Sequence, residues 1–149
     1  MPRERKSYDI RMIKKYRILE RPSIKGPRDA VNHAIKIGMF KKDPDKEVFY
    51  AYYLSTKNEI IVVDTISIGS LNASIVHPRE ILKPAILNSA AAILMMHNHP
   101  TGDPAPSKED IEFTRRFNQC CELIGIQLLD HVIVGADGKY HSCKENGSI

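Results

Sequence analysis

His97-Asn98-His99-Pro100-Thr101-Gly102-Asp103-Pro104-Ala105-Pro106-Ser107-Lys108-Glu109-Asp110 is the stretch whose reading decides the fold. An apolar segment, Ala90 to Met96, runs straight into it, and a helical pattern leads out. The segment therefore predicts a buried strand ending at the histidines, a turn-rich loop, and a helix whose first turn holds Asp110. Residues two apart on a strand project to the same face. His97 and His99 can thus aim at one spot, and a nearby carboxylate would complete a three-ligand set. Catalytic zinc sites use three such protein ligands and leave a fourth position for water.

Outward from that stretch the pattern alternates. Asp29 to Phe40 reads as a helix, with Ala30, Val31, Ala34, Ile35 and Met39 near the helical period. Val48 to Leu54 and Ile60 to Ile68 read as strands around a turn at Ser55 to Asn58. Ala73 to Val76 predicts a third, short strand. His77-Pro78 opens a helix with Ile81, Leu82, Ala85, Ile86 and Ala90 inward, which Pro84 either delays or kinks. After Ser107 a helix presents Ile111, Thr114, Phe117, Cys121 and Ile124, and Gly125 stops it. Ile126 to Val134 and Lys139 to Ser142 are the last strands, joined by a turn at Ala136-Asp137-Gly138. The order predicts an α/β sandwich with a mixed sheet flanked by helices.

The spacing His-x-His-x7-Ser-x2-Asp resembles the motif of the JAB/MPN (JAMM) metalloprotease family. The wider run resembles its bacterial RadC branch, although Thr101 stands where RadC proteins usually have serine. Asp130-His131-Val132-Ile133-Val134, Ser142-Cys143-Lys144-Glu145-Asn146-Gly147 and, upstream, Glu47-Val48-Phe49 look like the same branch. The likeness runs from about Pro27 to the C-terminus. It implies a JAB/MPN-like, cytidine-deaminase-like three-layer sandwich. It further implies Zn²⁺ held by His97, His99 and Asp110 with a water, Glu47 as acid/base, and Ser107 as donor to a developing oxyanion. The implied reaction is hydrolysis of a peptide or isopeptide bond in a peptide or protein substrate. The alternative is a non-catalytic binding module tied to DNA repair or to DNA and protein partners. Typical RadC proteins carry an N-terminal helix-hairpin-helix-like domain. A chain of 149 residues is expected to lack it, which weakens the DNA link.

Each residue also has a bland reading. Ser-x-x-Asp is a capping-box pattern at a helix start. Glu47 is an ordinary charge at a strand start, and Glu59 and Glu80 are rival bases. Asp103 either orients a ligand histidine or serves the turn with Gly102 and Pro104. His131 reads as a hydrogen-bonded core histidine. Cys120 and Cys121 read as small apolar groups, and His33, His77 and His141 carry no partner pattern. Nucleobase deaminases need His-x-Glu with Pro-Cys-x-x-Cys, and zincins need His-Glu-x-x-His; neither occurs.

A 149-residue chain reads as one domain, residues 27–149, behind an arm, residues 1–26. No apolar run is long enough to span a membrane. Three cysteines, two adjacent, make no disulfide framework, so reduced thiols and a cytoplasmic home are expected. Residues 1–28 hold ten Lys/Arg and three Asp/Glu, a balance of +7, and the rest carries −3, giving the net +4. Such an arm is either a solvated tail or a weak, sequence-independent nucleic-acid contact. If it is a contact, the full chain retards DNA at low salt, retention falls steeply as salt rises, and removing residues 1–20 abolishes it. No retardation at low salt makes the arm a solvated tail.

Overall fold

Aromatic and branched residues dominate β1 (Glu47–Leu54) and β2 (Ile60–Gly69), which pair antiparallel around a tight turn. The turn closes by Asn58 N–H donating to Ser55 C=O, with Asn58 at φ 57°. The computed structural model describes residues 21–41, 44–69 and 76–149. The basic residues 1–20, where the apolar alternation Tyr16-Arg17-Ile18-Leu19 would suit a short edge strand, and most of the strand expected at residues 73–76 lie outside the described residues.

β3 (Ala92–Asn98) is buried along its whole length and pairs antiparallel with β1 and parallel with β4 (Gln127–Val134). β5 (Tyr140–Ser142) closes the far edge antiparallel to β4, giving the order β2-β1-β3-β4-β5. Parallel neighbours need a long crossover, and α3 (Lys108–Ile124) supplies it between β3 and β4. Because successive strand side chains alternate in face, this mixed sheet has two cores. One face packs Tyr50, Tyr52, Leu94, Met96 and Val132 against α1 (Pro27–Lys36). The other packs Phe49, Tyr53, Ile93 and Met95 against α2 (Pro78–Leu87) and α3. The result is the expected three-layer α/β sandwich.

Several boundaries differ from expectation, each for a local reason. α1 stops at Lys36 because Gly38, at φ 75°, and Phe40, at φ 69°, turn the chain back. That return buries Met39 and sets Phe40 edge-on to Tyr50, while Ile35 is left exposed. Pro84 sits inside α2 without ending it, and Ile86 is exposed where it was expected inward. On α3 the buried stripe is Asp110, Phe113, Thr114, Phe117 and Cys121. Phe113 was not expected there, and Ile124 faces solvent. Gly125 ends α3 in the left-handed conformation, as expected. Cys120, Cys121 and Cys143 are free thiols. Among the described residues, no helix is long and apolar enough to cross a membrane.

The loop between β3 and α3 rests on a second glycine. His99 N–H donates to Val134 C=O, Gly102 N–H to His99 C=O, and Ala136 N–H to Gly102 C=O. A Cβ at Gly135 would lie 2.3 Å from Gly102 O and 2.8 Å from Pro104 Cδ. Only a hydrogen fits between that loop and the end of β4. Gly135→Ala is therefore expected to cost about 1–3 kcal/mol through overpacking, read as a lower urea midpoint with unchanged slope.

Candidate metal centre

Three elements bring the motif together. His97 lies within β3, His99 just beyond it, and Asp110 in the first turn of α3. His97 and His99 share the face that carries Phe49, whose ring stacks on His97 at 8° between planes. The ligand atoms of His97, His99 and Asp110 all lie within 4.8 Å of one another. His97 Nε2 is 3.2 Å from His99 Nε2 and 3.4 Å from Asp110 Oδ1, and His99 Nε2 is 3.2 Å from Asp110 Oδ2. Two imidazole nitrogens and a carboxylate oxygen form a donor set suited to zinc.

Asp110 is held from both sides. Its Oδ2 accepts from Ser107 N–H at 2.9 Å, while Ser107 Oγ accepts from Asp110 N–H at 3.0 Å, completing the capping box. One residue thus caps the helix and turns its carboxylate toward both histidines. Burial alone would raise the pKa of this carboxyl. The hydrogen bonds from His97 and His99 outweigh burial and hold it well below the usual carboxylate range. His99 shows the reciprocal effect: its bond to Asp110 raises its pKa above the ordinary imidazole value, against the opposing pull of burial.

Glu47 enters through strand register. Phe49 pairs with His97 in the antiparallel β1–β3 ladder. Two residues back along β1, Glu47 shares the face of Phe49 by strand alternation, and its charge is felt by the His99 ring. Glu59, the rival base, sits at the β1–β2 hairpin, at the sheet end where Leu54 pairs with Ala92. Glu80 is exposed in the first turn of α2. Asn98 explains how Glu47 is kept at the site. Its Oδ1 accepts from Val48 N–H at 2.7 Å and its Nδ2 donates to Lys46 C=O at 2.9 Å. The amide therefore clamps the backbone on both sides of Glu47 to the end of β3.

The remaining candidates separate cleanly. Asp103 touches both His99 and the turn, with different atoms. Its backbone carbonyl meets His99 Nδ1 at 2.9 Å, while its carboxylate accepts from Ala105 N–H in the turn. Thr101 is exposed. His131 is a fully buried histidine, as expected, but its partner is a site residue: its Nε2 lies 2.8 Å from His97 Nδ1. Burial, and next the His97 charge, push its pKa well below the ordinary value. Asp130 pins that part of β4, accepting from His131 N–H, Lys144 N–H and the Ser142 hydroxyl. Asn98 and Thr114, which touches His131, were not singled out for the site. Their partners are remote in sequence, and no local pattern marks them.

A model of the RadC-like JAB domain matches residues 24–148. The chain belongs to the RadC-like JAB domain family. Among its relatives are UPF0758 proteins of Bacillus mycoides (strain KBAB4), Bacillus cereus (strain Q1) and Bacillus anthracis (strain A0248). Each is 50% identical over 129 residues, covering 87% of this chain and 56% of the relative. The RadC-like chain thus spans a little over half the length of these curated relatives.

Asn98 carries a specific expectation. Asn98→Ala leaves the buried Val48 N–H and the Lys46 C=O without their partner, which costs about 1–3 kcal/mol. Chemical denaturation measures the loss. Asn98→Asp keeps the acceptor for Val48 N–H but turns a second acceptor on Lys46 C=O, so it also lowers the midpoint.

Proposed function

We propose that this RadC-like domain is a zinc-dependent hydrolase that cleaves a peptide or isopeptide bond. The observation that carries the proposal is the convergence of His97, His99 and Asp110 ligand atoms within 4.8 Å, next to Glu47 on the same sheet face. His97 Nε2, His99 Nε2 and the Asp110 carboxylate would hold the ion. When bound, Zn²⁺ supplies Lewis-acid polarisation of a carbonyl and lowers the pKa of a coordinated water.

The chain's own groups then do the proton work. Glu47 accepts a proton from the attacking water and delivers it to the amide nitrogen as the C–N bond breaks, the role of a carboxylate general base then acid. Asn98 clamps residues 46–48, so this carboxylate starts from a fixed backbone. Ser107 Oγ already accepts from Asp110 N–H, which leaves its own proton to donate to the oxyanion of the tetrahedral intermediate. The Phe49 ring on His97, with Phe113 edge-on to Phe49, walls one side of the site with apolar surface. Low local polarity strengthens every charge interaction inside.

The test separates metal binding from chemistry. The parent binds one Zn²⁺ per chain by elemental analysis, and Asp110→Ala loses most of it. Glu47→Gln keeps shape, zinc and melting temperature, yet loses about 10²–10⁴-fold in kcat on any peptide or isopeptide that the parent cleaves. Ser107→Ala also keeps zinc, loses ~10²–10³-fold in kcat and about 1 kcal/mol of stability with its cap. Unchanged zinc in Asp110→Ala refutes the ligand set. A zinc-loaded parent inert across a broad peptide and isopeptide screen makes the domain a binding module instead.

A further inference from the structure

Behind His97 runs a buried chain of hydrogen bonds that returns to its starting point. His97 Nδ1 is 2.8 Å from His131 Nε2, and His131 Nδ1 is 2.6 Å from Thr114 Oγ1. Thr114 Oγ1 donates to the backbone carbonyl of Asp110 at 2.6 Å. His131 and Thr114 are fully buried and His97 is 2% exposed. Burial keeps bulk solvent from these links, so each proton position is dictated by the next.

The polarity starts at the carbonyl. A backbone C=O accepts only. The Thr114 hydroxyl has one proton, and the Asp110 carbonyl takes it. The Cys143 sulfur also lies beside this hydroxyl, but sulfur is the weaker acceptor. Thr114 Oγ1 therefore faces His131 with a lone pair, and His131 Nδ1 must carry hydrogen. A second proton would make His131 a cation shut away from bulk solvent, which burial strongly disfavours. His131 is therefore neutral, and its Nε2 has a lone pair. That lone pair accepts from His97 Nδ1–H. With Nδ1–H committed there, Nε2 is the nitrogen that His97 turns to His99 and Asp110: it donates to Asp110 while it holds a proton and offers its lone pair to an ion once that proton leaves.

We infer that His131 and Thr114 are positioning residues of the metal centre, which set His97 in the tautomer that can bind an ion through Nε2. Asp110 closes the loop: its carboxylate faces the ion position and its carbonyl orders the protons behind His97. A metal-ligating histidine commonly donates its other N–H to a carboxylate, carbonyl or water, and loss of such a partner typically weakens metal affinity about 10–100-fold. Here a second imidazole takes that place, and it can accept only while Thr114 holds its far nitrogen protonated. The inference rests on the reading of His97 as a ligand in the proposed function.

Two measurements test it, the first without metal. Long-range ¹⁵N–¹H correlation spectra of the metal-free full chain should show His131 as the neutral Nδ1–H tautomer. Finding His131 as Nε2–H, or as imidazolium at neutral pH, overturns the inference even if zinc binds tightly. The second is zinc affinity by chelator competition. Thr114→Val should weaken it about 10–100-fold and shift His131 away from Nδ1–H, whereas Thr114→Ser should restore both. A purely structural threonine would lower the melting temperature of Thr114→Val and leave tautomer and affinity as in the parent, which also overturns it. If Thr114→Val fails to fold, the parent spectrum still decides. If the parent binds no zinc, the proposed function fails, while the tautomer result stands or falls by itself.

Discussion

A carboxylate that is almost fully buried must have every oxygen occupied, and Asp110 is such a group. Leaving a buried charge unpaired costs several kcal/mol or more. The surrounding structure answers that demand from three directions: Ser107 N–H at the helix cap, and His97 and His99 from the strand end. Each partner fixes a different piece of geometry. The cap sets where α3 begins and the histidines set where β3 ends. The distance between them sets the path of residues 100–106, which Gly135 allows to lie flat on the end of β4. The candidate site is the place where those demands meet, so its shape and the local fold cannot be altered independently.

The sheet contributes the rest. β3 and β4 are parallel neighbours, and the motif begins at the carboxyl end of β3, where open α/β sheets leave room for ligands. β1 runs antiparallel to β3, so its amino end arrives at the same place and delivers Glu47. A one-residue slip in that ladder would turn Glu47 to the opposite face. Asn98 guards against the slip just where regular pairing gives out, by bonding to the backbone before and after Glu47. Its neighbours His97 and His99 face the site while Asn98 faces away from it. Alternation along one short strand thus divides the candidate ligands from the clamp.

These relations explain what could be read from the chain alone. His97, His99, Ser107 and Asp110 lie within fourteen residues, so strand alternation and helix-cap rules bring them together without knowledge of the fold. Alternation and helical period were likewise enough for the order of the described strands and helices. Glu47 needed the family likeness, because fifty residues separate it from His97 and only the β1–β3 register unites them. Asn98, Thr114 and His131 were harder still. A threonine on the buried stripe of a helix and a histidine on an apolar strand look like ordinary core until their contacts are known. Phe113 was missed for a related reason. It lies one position off the stripe chosen from the period, and the ring of Phe49, on another element, is what draws it inward. Asp103 resisted a single reading because its carbonyl and its carboxylate have separate tasks.

The crowding of the three ligand side chains has an energetic consequence. With no ion between them, His97 Nε2, His99 Nε2 and the Asp110 carboxylate satisfy one another only by holding protons, and the raised pKa of His99 and the lowered pKa of Asp110 express that arrangement. Those hydrogen bonds stabilise the fold within limits of pH. The Asp110 contribution is present above the unfolded carboxyl pKa and is lost as acid protonates it. The His99 contribution is present below the unfolded imidazole pKa and is lost as pH rises through its raised value. A cation bound there would replace the shared protons with its own charge and remove the upper limit, because ligation needs the histidines neutral. An ion that binds only the folded chain adds RT ln(1 + [L]/Kd), about 2.7 kcal/mol at a hundredfold excess over Kd. On the proposed reading the same three side chains would serve folding in two ways, through protons when no ion is bound and through the ion when it is. In both, the burden falls on the junction of β3 and α3.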